Sequence, residues 1–238
     1  MRLDHYLVAH HGFVSRTKAT ASIKQGDVVV NDAVVKPSYE VKDTDRVTVL
    51  IHPRYVSRSA DKLAEAITTF GIDVANKTVL DLGQSTGGFT QVVLEAGARH
   101  VTGIEVGHDQ LDASLRNDPR ITLYEHTNIK DLARLALPRM DLGVIDVSFI
   151  STIAHLDLLL PLAEEWLCLI KPQFETKGEG LRYGVVVEER EVQRVLQELH
   201  KKIASLQYHV CGLLPSRTKG KQGNQEYMVW ITGVCYEN

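Results

Sequence analysis

The chain has 238 residues, 27 Lys and Arg against 30 Asp and Glu, and a formal charge of −3. A hydrophobic content of 44% excludes a disordered chain, and no apolar run approaches the roughly 20 residues that span a bilayer. Its three cysteines are widely spaced and form neither a disulfide framework nor a metal-ligand pattern, which is typical of a reducing compartment. We therefore expect a cytoplasmic protein of one or two domains that neither enters a membrane nor binds a metal.

The first 51 residues predict a small α+β unit. A first helix ends before Gly12, and a second helix runs from the cap-like Ser15 to Gly26. Short strands follow at VVVN, AVVK and RVTVLI, separated by turn-forming residues. Residues 52–56 are expected to link this unit to a larger domain over 57–238.

Basic residues near the start make the small unit a candidate RNA-binding module. The first 24 residues hold Arg2, Arg16, Lys18 and Lys24 against a single acid, Asp4. Nucleic-acid binding depends on local basic surfaces, so the mildly acidic total does not exclude it. The alternative is that these residues form an ordinary solvated helix face.

Beyond residue 57, apolar runs alternate with helix-length segments. Strands are predicted at 78–83, 100–106, 121–126, 142–147 and 166–170, followed by YHVCGLL and EYMVWITG. Helices are predicted at about 62–70, in GGFTQVVLEAG and at about 186–205. This order indicates an α/β domain with a mostly parallel sheet covered on both faces. The last connection is too short for a parallel crossover, so the final strand should be antiparallel.

The strongest local signal is DLGQSTGGF, which ends the first large-domain strand and opens a helix. Glycines there let the backbone approach a ligand closely, and a helix N-terminus presents unpaired N–H groups. The string is neither the G-x-G-x-x-G dinucleotide pattern nor a phosphate loop. A tight turn that serves packing alone is the alternative. The candidate ligand-binding residues are Asp81, Gly83, Ser85, Thr86, Gly87, Gly88 and Phe89.

Polar residues at the next two strand ends indicate the kind of ligand. Glu105, beside Val106, lies at the end of its strand, where a carboxylate can accept hydrogen bonds from both hydroxyls of a ribose. Glu105 and Asp81 together indicate a site that binds a nucleoside but lacks a phosphate-binding loop, which suits S-adenosylmethionine. Asn128 follows the third strand and is placed to contact the adenine edge. A solvated acid for Glu105 and a helix cap for Asn128 are the alternatives.

Ionisable residues at further strand ends form a third constellation. Asp146, Lys171 and Glu226 each occur where an apolar run meets a loop, so all three can face one cleft. Asp146 is also a candidate cofactor ligand, and Lys62 can enter the cleft from the preceding helix. Each of these residues, taken alone, can equally be an ordinary strand-end charge.

At these motifs the chain resembles a known family. Ser57-Arg58…Lys62, DLGQSTGGFT, DVSFIS and KPQFE are similar to the TlyA/hemolysin A family of FtsJ-type ribosomal RNA methyltransferases. RLDHYL…SRTKATASIKQGDVVVN resembles an S4-type RNA-binding domain. The resemblance implies a Rossmann-like S-adenosylmethionine-dependent methyltransferase fold and 2′-O-methylation of ribose in ribosomal RNA or ribosomal subunits. The family's Lys-Asp-Lys-Glu tetrad falls on Lys62, Asp146, Lys171 and Glu226.

The resemblance also suggests roles for the tetrad. We expect Lys171 to accept the 2′-hydroxyl proton, Asp146 and Glu226 to orient the lysines, and Lys62 to stabilise the developing alkoxide. Two other classes stay open: a non-catalytic RNA-binding or ribosome-assembly protein that keeps a cofactor pocket, and a membrane-active hemolysin, for which the sequence offers no convincing amphipathic segment. The target nucleotide and the oligomeric state are not determined by the sequence.

Overall fold

A computed structural model describes residues 1–50, 55–176, 178–220 and 222–233. The chain divides into two compact units, Met1–Arg54 and Tyr55–Asn238. Of the predicted linker, 52–54 lie outside the described residues. Within the described part of the chain, no helix has the length and apolar character needed to cross a membrane.

The N-terminal unit packs two helices on a two-stranded sheet. Its elements are α1 (Leu3–His10), α2 (Arg16–Gln25), β1 (Val28–Val30) and β2 (Val47–Val49), with β1 and β2 antiparallel. The predicted bounds of α2 are confirmed: the Ser15 hydroxyl accepts a hydrogen bond from the Lys18 N–H, and Gly26 ends the helix in the left-handed conformation. Leu3, Leu7 and Ile23 are fully buried in the core between these elements.

The predicted AVVK strand is wrong. Ala33 forms one isolated bridge to Val30 across a tight turn, and the pairing stops there. The chain reaches Pro37 soon afterwards, and proline has no N–H to donate to a ladder. Val35 packs on the core instead, and β1 finds its partner in β2.

The large unit is built on a seven-stranded sheet. Its strands are β3 (Thr78–Leu82), β4 (His100–Ile104), β5 (Ile121–Tyr124), β6 (Met140–Ile145), β7 (Ala163–Ile170), β10 (His209–Pro215) and β11 (Tyr227–Thr232), and a separate hairpin holds β8 (Leu181–Arg182) and β9 (Val185–Val186). The strand order is β10-β11-β7-β6-β3-β4-β5. Strand β11 runs antiparallel to both of its neighbours, β10 and β7, as the short last connection predicts, and the other neighbouring pairs of the sheet are parallel.

Helices cover the two faces of this sheet. They are α3 (Ser59–Phe70), α4 (Gly88–Glu95), α5 (Leu156–Leu159), α6 (Pro172–Glu175) and α7 (Glu189–Ser205). Helices α3 and α4 pack into one apolar cluster, whereas α5 and α7 pack into the other. The expected alternation of strands and helices fails between β4 and β6. Residues 105–120, between β4 and β5, form turns, because they hold Gly107, Pro119 and several aspartates, which favour turns over a helix. Between β5 and β6 the chain forms a 3₁₀ helix (Ile129–Leu135).

The topology brings several chain segments to one edge of the sheet. Strand β3 lies between β4 and β6, so the strand order reverses there and a crevice opens beyond the carboxyl ends of the strands. Because β11 is antiparallel, its first residue, Tyr227, pairs with Ile170 at the carboxyl end of β7. The start of β11 therefore lies at the same edge as the ends of β3, β6 and β7.

Candidate active site

A cleft of about 500 Å³ opens at this edge of the large unit. Its volume falls within the range of small-molecule sites, roughly 300–1,000 Å³. Residues predicted from the sequence line much of it: Lys62, Gly83, Ser85, Thr86, Phe89, Asp146, Lys171 and Glu226. The four members of the predicted tetrad thus share one cleft, although one comes from α3 and the others from the residues next to the ends of β6 and β7 and the start of β11.

Lys62 and Glu226 form a buried ion pair in the cleft wall. They are 164 residues apart in the chain, and their side chains are only 7% and 5% exposed. The Gln173 amide donates a second hydrogen bond to Glu226, at Oε1, over 3.1 Å. Because both charges are withdrawn from water, the pair depends on this mutual contact to remain in place.

Lys171 and Asp146 form the second ion pair. The distance from Lys171 Nζ to Asp146 Oδ1 is 2.6 Å, and Nζ also donates to Ser148 Oγ over 2.9 Å. Their side chains are 11% and 16% exposed, so this pair is more open to the cleft than the first. An amine held by a carboxylate and a hydroxyl is oriented for proton transfer to or from a bound ligand.

The glycine-rich turn borders the cleft. Gly83 has a φ of +81°, and a Cβ there would lie 3.0 Å from the main-chain oxygen of Asp146. A side chain at Gly87 would meet Leu111 and Leu115 at 2.6 Å. Gly87 and Gly88 do not line the cleft, so packing explains these two glycines, whereas Gly83 brings the backbone against the ligand space.

Asp81 lies behind the turn rather than in the cleft. It is fully buried, and its Oδ2 accepts a 2.6 Å hydrogen bond from the Thr90 hydroxyl, which accepts in turn from the Gln84 amide. Within the described ranges of the chain, its Oδ1 has no hydrogen-bond partner. Burial raises the pKa of the Asp81 carboxyl to about 7; the Thr90 bond opposes the shift, and the negative charges of Asp146 and Glu105 add to it.

Glu105 supports the turn at the end of β4. Its Oε2 accepts from the Ser85 N–H and its Oε1 from the Gly107 N–H, both over 2.8 Å. It is 7% exposed, which excludes a freely solvated acid. Val106 beside it is largely exposed. Neither residue lines the cleft, and the Glu105 carboxylate is bonded to these backbone N–H groups instead.

Asn128 acts as a helix cap in the structure. Its side-chain oxygen accepts from the Lys130 N–H at the start of the 3₁₀ helix. The capping alternative therefore describes its contacts, and it lies outside the cleft.

Sequence reasoning missed several residues of the cleft. Ser148 and Gln173 hold Lys171 and Glu226, and both lie inside motifs that the sequence singled out, DVSFIS and KPQFE. Phe149 and Phe174 form a ring pair at 5.2 Å that also lines the cleft. Lys219 has no signal in the sequence beyond a basic loop, since its place depends on how β10 and β11 connect.

The predicted RNA-binding residues lie on the N-terminal unit. Arg2 and Lys24 line a groove of about 960 Å³, and Arg2 and Arg16 both contact the buried Asp4. Lys18 lies in the first turn of α2. In the described parts of both units, no group of three or more His, Cys, Asp or Glu side chains is arranged to hold a metal ion.

Comparisons with known proteins match each of the two units to a family. Residues 55–232 match the FtsJ-like methyltransferase family, and residues 1–47 match the S4 domain. The chain is 38% identical over 235 residues to hemolysin A of Brachyspira hyodysenteriae, covering 96% of this chain and 98% of that protein. It is 40% identical over 238 residues to the 16S/23S rRNA (cytidine-2′-O)-methyltransferase TlyA of Mycobacterium tuberculosis, covering 97% and 89%.

Solved structures give the same result. A candidate hemolysin from Streptococcus thermophilus superposes with a TM-score of 0.75 at 30% identity, covering 98% of this chain and 88% of that one. The resemblance stated from the sequence is confirmed, as is the Rossmann-like α/β fold preceded by a small RNA-binding-type domain. This chain belongs to the FtsJ-like methyltransferase family, in the group of the TlyA and hemolysin A proteins, and carries an N-terminal S4 domain.

Proposed function

We propose that the protein transfers a methyl group from S-adenosylmethionine to ribose 2′-hydroxyls of ribosomal RNA, in the cytoplasm where ribosomes are made. The observation that carries this is the convergence of two lysine–carboxylate pairs, Lys62–Glu226 and Lys171–Asp146, in one cleft beside a glycine-rich turn. The M. tuberculosis relative is named for the same reaction on cytidine.

The cleft residues fit a nucleoside cofactor. Gly83, Ser85 and Thr86 present backbone and hydroxyl groups to the ligand space, and Phe89 adds an apolar wall. Glu105 holds this turn in shape from behind through the Ser85 N–H. S-adenosylmethionine supplies a methyl group that is already activated on a sulfonium sulfur. The chain therefore has to bind the cofactor, align it with the ribose hydroxyl and accept the hydroxyl proton.

Lys171 is the proton acceptor in this scheme. As the 2′-oxygen forms its bond to the methyl carbon and the carbon–sulfur bond breaks, the hydroxyl proton passes to Lys171 Nζ, whose ammonium has first released a proton to solvent. Asp146 and Ser148 fix the direction of that amine, which supports a general-base role. Much of the rate comes from holding the oxygen in line with the methyl carbon and sulfur.

Lys62 supplies positive charge to the same cleft. Glu226 and Gln173 hold it in place, so its ammonium needs no reorganisation when negative charge develops on the 2′-oxygen. The S4 domain would bind the RNA by its phosphates. The two pairs thus divide the work: one moves a proton, and the other stabilises charge.

The test compares purified wild-type protein with Lys171→Ala on unmodified ribosomal RNA and ribosomal subunits. We expect methyl transfer to fall by at least about 100-fold, because a general base contributes on that order. Cofactor binding, measured by calorimetry, should change little. Lys77→Ala is the matched control, because Lys77 pairs with Glu165 next to the opposite end of β3.

Two results would overturn the proposal. Near-normal transfer by a folded Lys171→Ala protein would remove Lys171 from the reaction. A methyl group found on a base rather than on a ribose would contradict the proposed 2′-O-methylation and the role of Lys171, since a base nitrogen or carbon requires a different proton acceptor.

A further inference from the structure

The N-terminal unit contains a buried acid that the methyl transfer does not use. Asp4, in the first turn of α1, has a side chain that is only 3% exposed. Its Oδ1 accepts from Arg2 Nε over 3.0 Å, and its Oδ2 accepts from Arg2 Nη2 over 3.1 Å and from Arg16 Nη2 over 3.0 Å. One carboxylate therefore holds two guanidinium groups from different parts of the chain.

The two guanidiniums stay available to a ligand. The Arg2 and Arg16 side chains are 44% and 56% exposed. Since each Nη2 atom lies about 3 Å from the same oxygen, the two atoms lie within about 6 Å of each other. Arg2 uses two N–H groups on Asp4 and Arg16 uses one, so most of their donors remain for another acceptor.

Further basic residues extend this surface. Arg16, Thr20 and Lys24 are spaced four residues apart, so they share one face of α2. Thr20 and Lys24 line a groove of about 960 Å³ together with Arg2 and the exposed Lys36. Lys18 lies about 200° around the helix from Arg16, off this stripe.

We propose that Asp4 is a positioning residue that holds Arg2 and Arg16 as a paired site for a backbone phosphate of RNA, at one end of a groove that Lys24 and Lys36 continue. This rests on the proposed function, because the ligand is the RNA substrate of that reaction. Guanidinium groups bind phosphate through paired N–H donors, which is the chemistry that the two exposed arginines offer.

The carboxylate makes such a pair possible for a physical reason. Two unshielded guanidiniums this close would repel each other and move apart, and each flexible side chain would lose conformational freedom on binding. A buried carboxylate offsets the repulsion and orders both groups before the ligand arrives. The low pKa of the Asp4 carboxyl, about 2, keeps it ionised, with the Arg2 hydrogen bond as its largest cause and burial opposing it.

The test uses the sign of the effect of Asp4→Asn in the full-length protein. Removing a negative charge should tighten RNA binding if only net charge matters. If Asp4 positions the arginines, affinity for unmodified ribosomal RNA should instead fall by about five-fold or more, and the dependence of log affinity on log salt should flatten by about one contact. The matched control is Asp45→Asn, which removes an acid of the same unit whose partners are Asn31, Tyr39 and Lys42.

Two further variants separate positioning from folding. In an Arg2→Ala/Arg16→Ala background, Asp4→Asn should cause no further loss of RNA affinity, because its effect passes through those side chains. Arg2→Lys keeps the charge but not the two-bond fork, so it should weaken RNA binding even if Asp4→Asn does not fold.

The outcomes are distinct. RNA affinity and salt slope unchanged or increased in folded Asp4→Asn would overturn the inference, as would wild-type affinity in Arg2→Lys. In both cases wild-type protein would still bind and methylate RNA, so the proposed function would stand. Wild-type protein that neither binds nor methylates ribosomal RNA would overturn both proposals.

Discussion

Asp4 in the N-terminal unit and Asp81 in the large unit are both buried, yet the pKa values of their carboxyls move in opposite directions. Two guanidinium groups contact Asp4, and its pKa falls to about 2. Burial raises the pKa of Asp81 to about 7; the negative charges of Asp146 and Glu105 add to the shift, and the hydrogen bond from the Thr90 hydroxyl opposes it. Burial raises the pKa of both carboxyls, and only at Asp4 do cationic partners outweigh it, so the partners of a buried acid decide whether burial sets its charge.

The same difference separates the charge arrangements of the two units. In the N-terminal unit a buried acid orders cations that remain exposed, which suits binding of a polyanion. In the large unit Lys62 and Lys171 are paired inside a cleft, with little exposed area, which suits chemistry on a single bound group. Substitutions in the N-terminal unit should therefore lower mainly RNA affinity, and substitutions in the cleft of the large unit should lower mainly turnover.

The largest effect is expected for Lys62→Gln. The glutamine keeps a donor to Glu226 but removes the positive charge, so methyl transfer should fall by at least about 100-fold. RNA affinity should stay within about two-fold of wild type, because a buried side chain makes no exposed phosphate contact. Single-turnover methylation and RNA titration measure the two quantities. A parallel loss of both would show that the cleft also carries RNA affinity, and the separation of the units would fail.

A smaller effect, on the free energy of unfolding, is expected for Asp81→Asn. The folded-state pKa of Asp81 lies above the unfolded value of 3.8, so the folded protein binds more protons between about pH 4 and 7. The free energy of unfolding of wild type should thus fall as pH rises through this window, by a few kcal/mol relative to Asp81→Asn. Denaturant titrations of both proteins across the window measure it.

Asp4→Asn provides the opposite control in the same titrations. The folded-state pKa of Asp4 lies below its unfolded value, so its contribution is present above about pH 4 and is lost as pH falls toward 2. Wild type should be more stable than Asp4→Asn near neutral pH, and the difference should vanish toward pH 2. Equal pH dependence for the two aspartate variants would contradict the comparison.

The smallest effect is expected within α2. Arg16→Ala should weaken RNA binding a few-fold and reduce the salt slope by about one contact. Lys18→Ala removes the same charge from a position about 200° around the helix, so its loss should be smaller. Titrations at several salt concentrations measure both. Equal losses would indicate that charge, rather than the Arg16 face, carries the RNA contact.

Local signals explain which elements could be predicted. The bounds of α2 followed from Ser15 and Gly26, whose capping depends on neighbouring backbone groups. The strands of the large sheet followed from short apolar runs, and the antiparallel direction of β11 from a short connection. The AVVK strand was predicted wrongly, because a strand needs a partner. Strand β5 was predicted correctly, but the segments on either side of it hold no α-helix, since a crossover need not contain one.

The sequence by itself determined the order of elements, the family and the residue types available at the strand ends, because these depend on composition and near neighbours. Only the tertiary structure decided which charges meet. The contacts between Lys62 and Glu226, 164 residues apart, and between Asp4 and Arg16 arise from packing of distant segments. The same packing placed Asp81 and Glu105 behind the glycine-rich turn, with a Thr90 hydroxyl and backbone N–H groups as partners. Charge pairing depends on distance in space, which spacing along a chain does not specify.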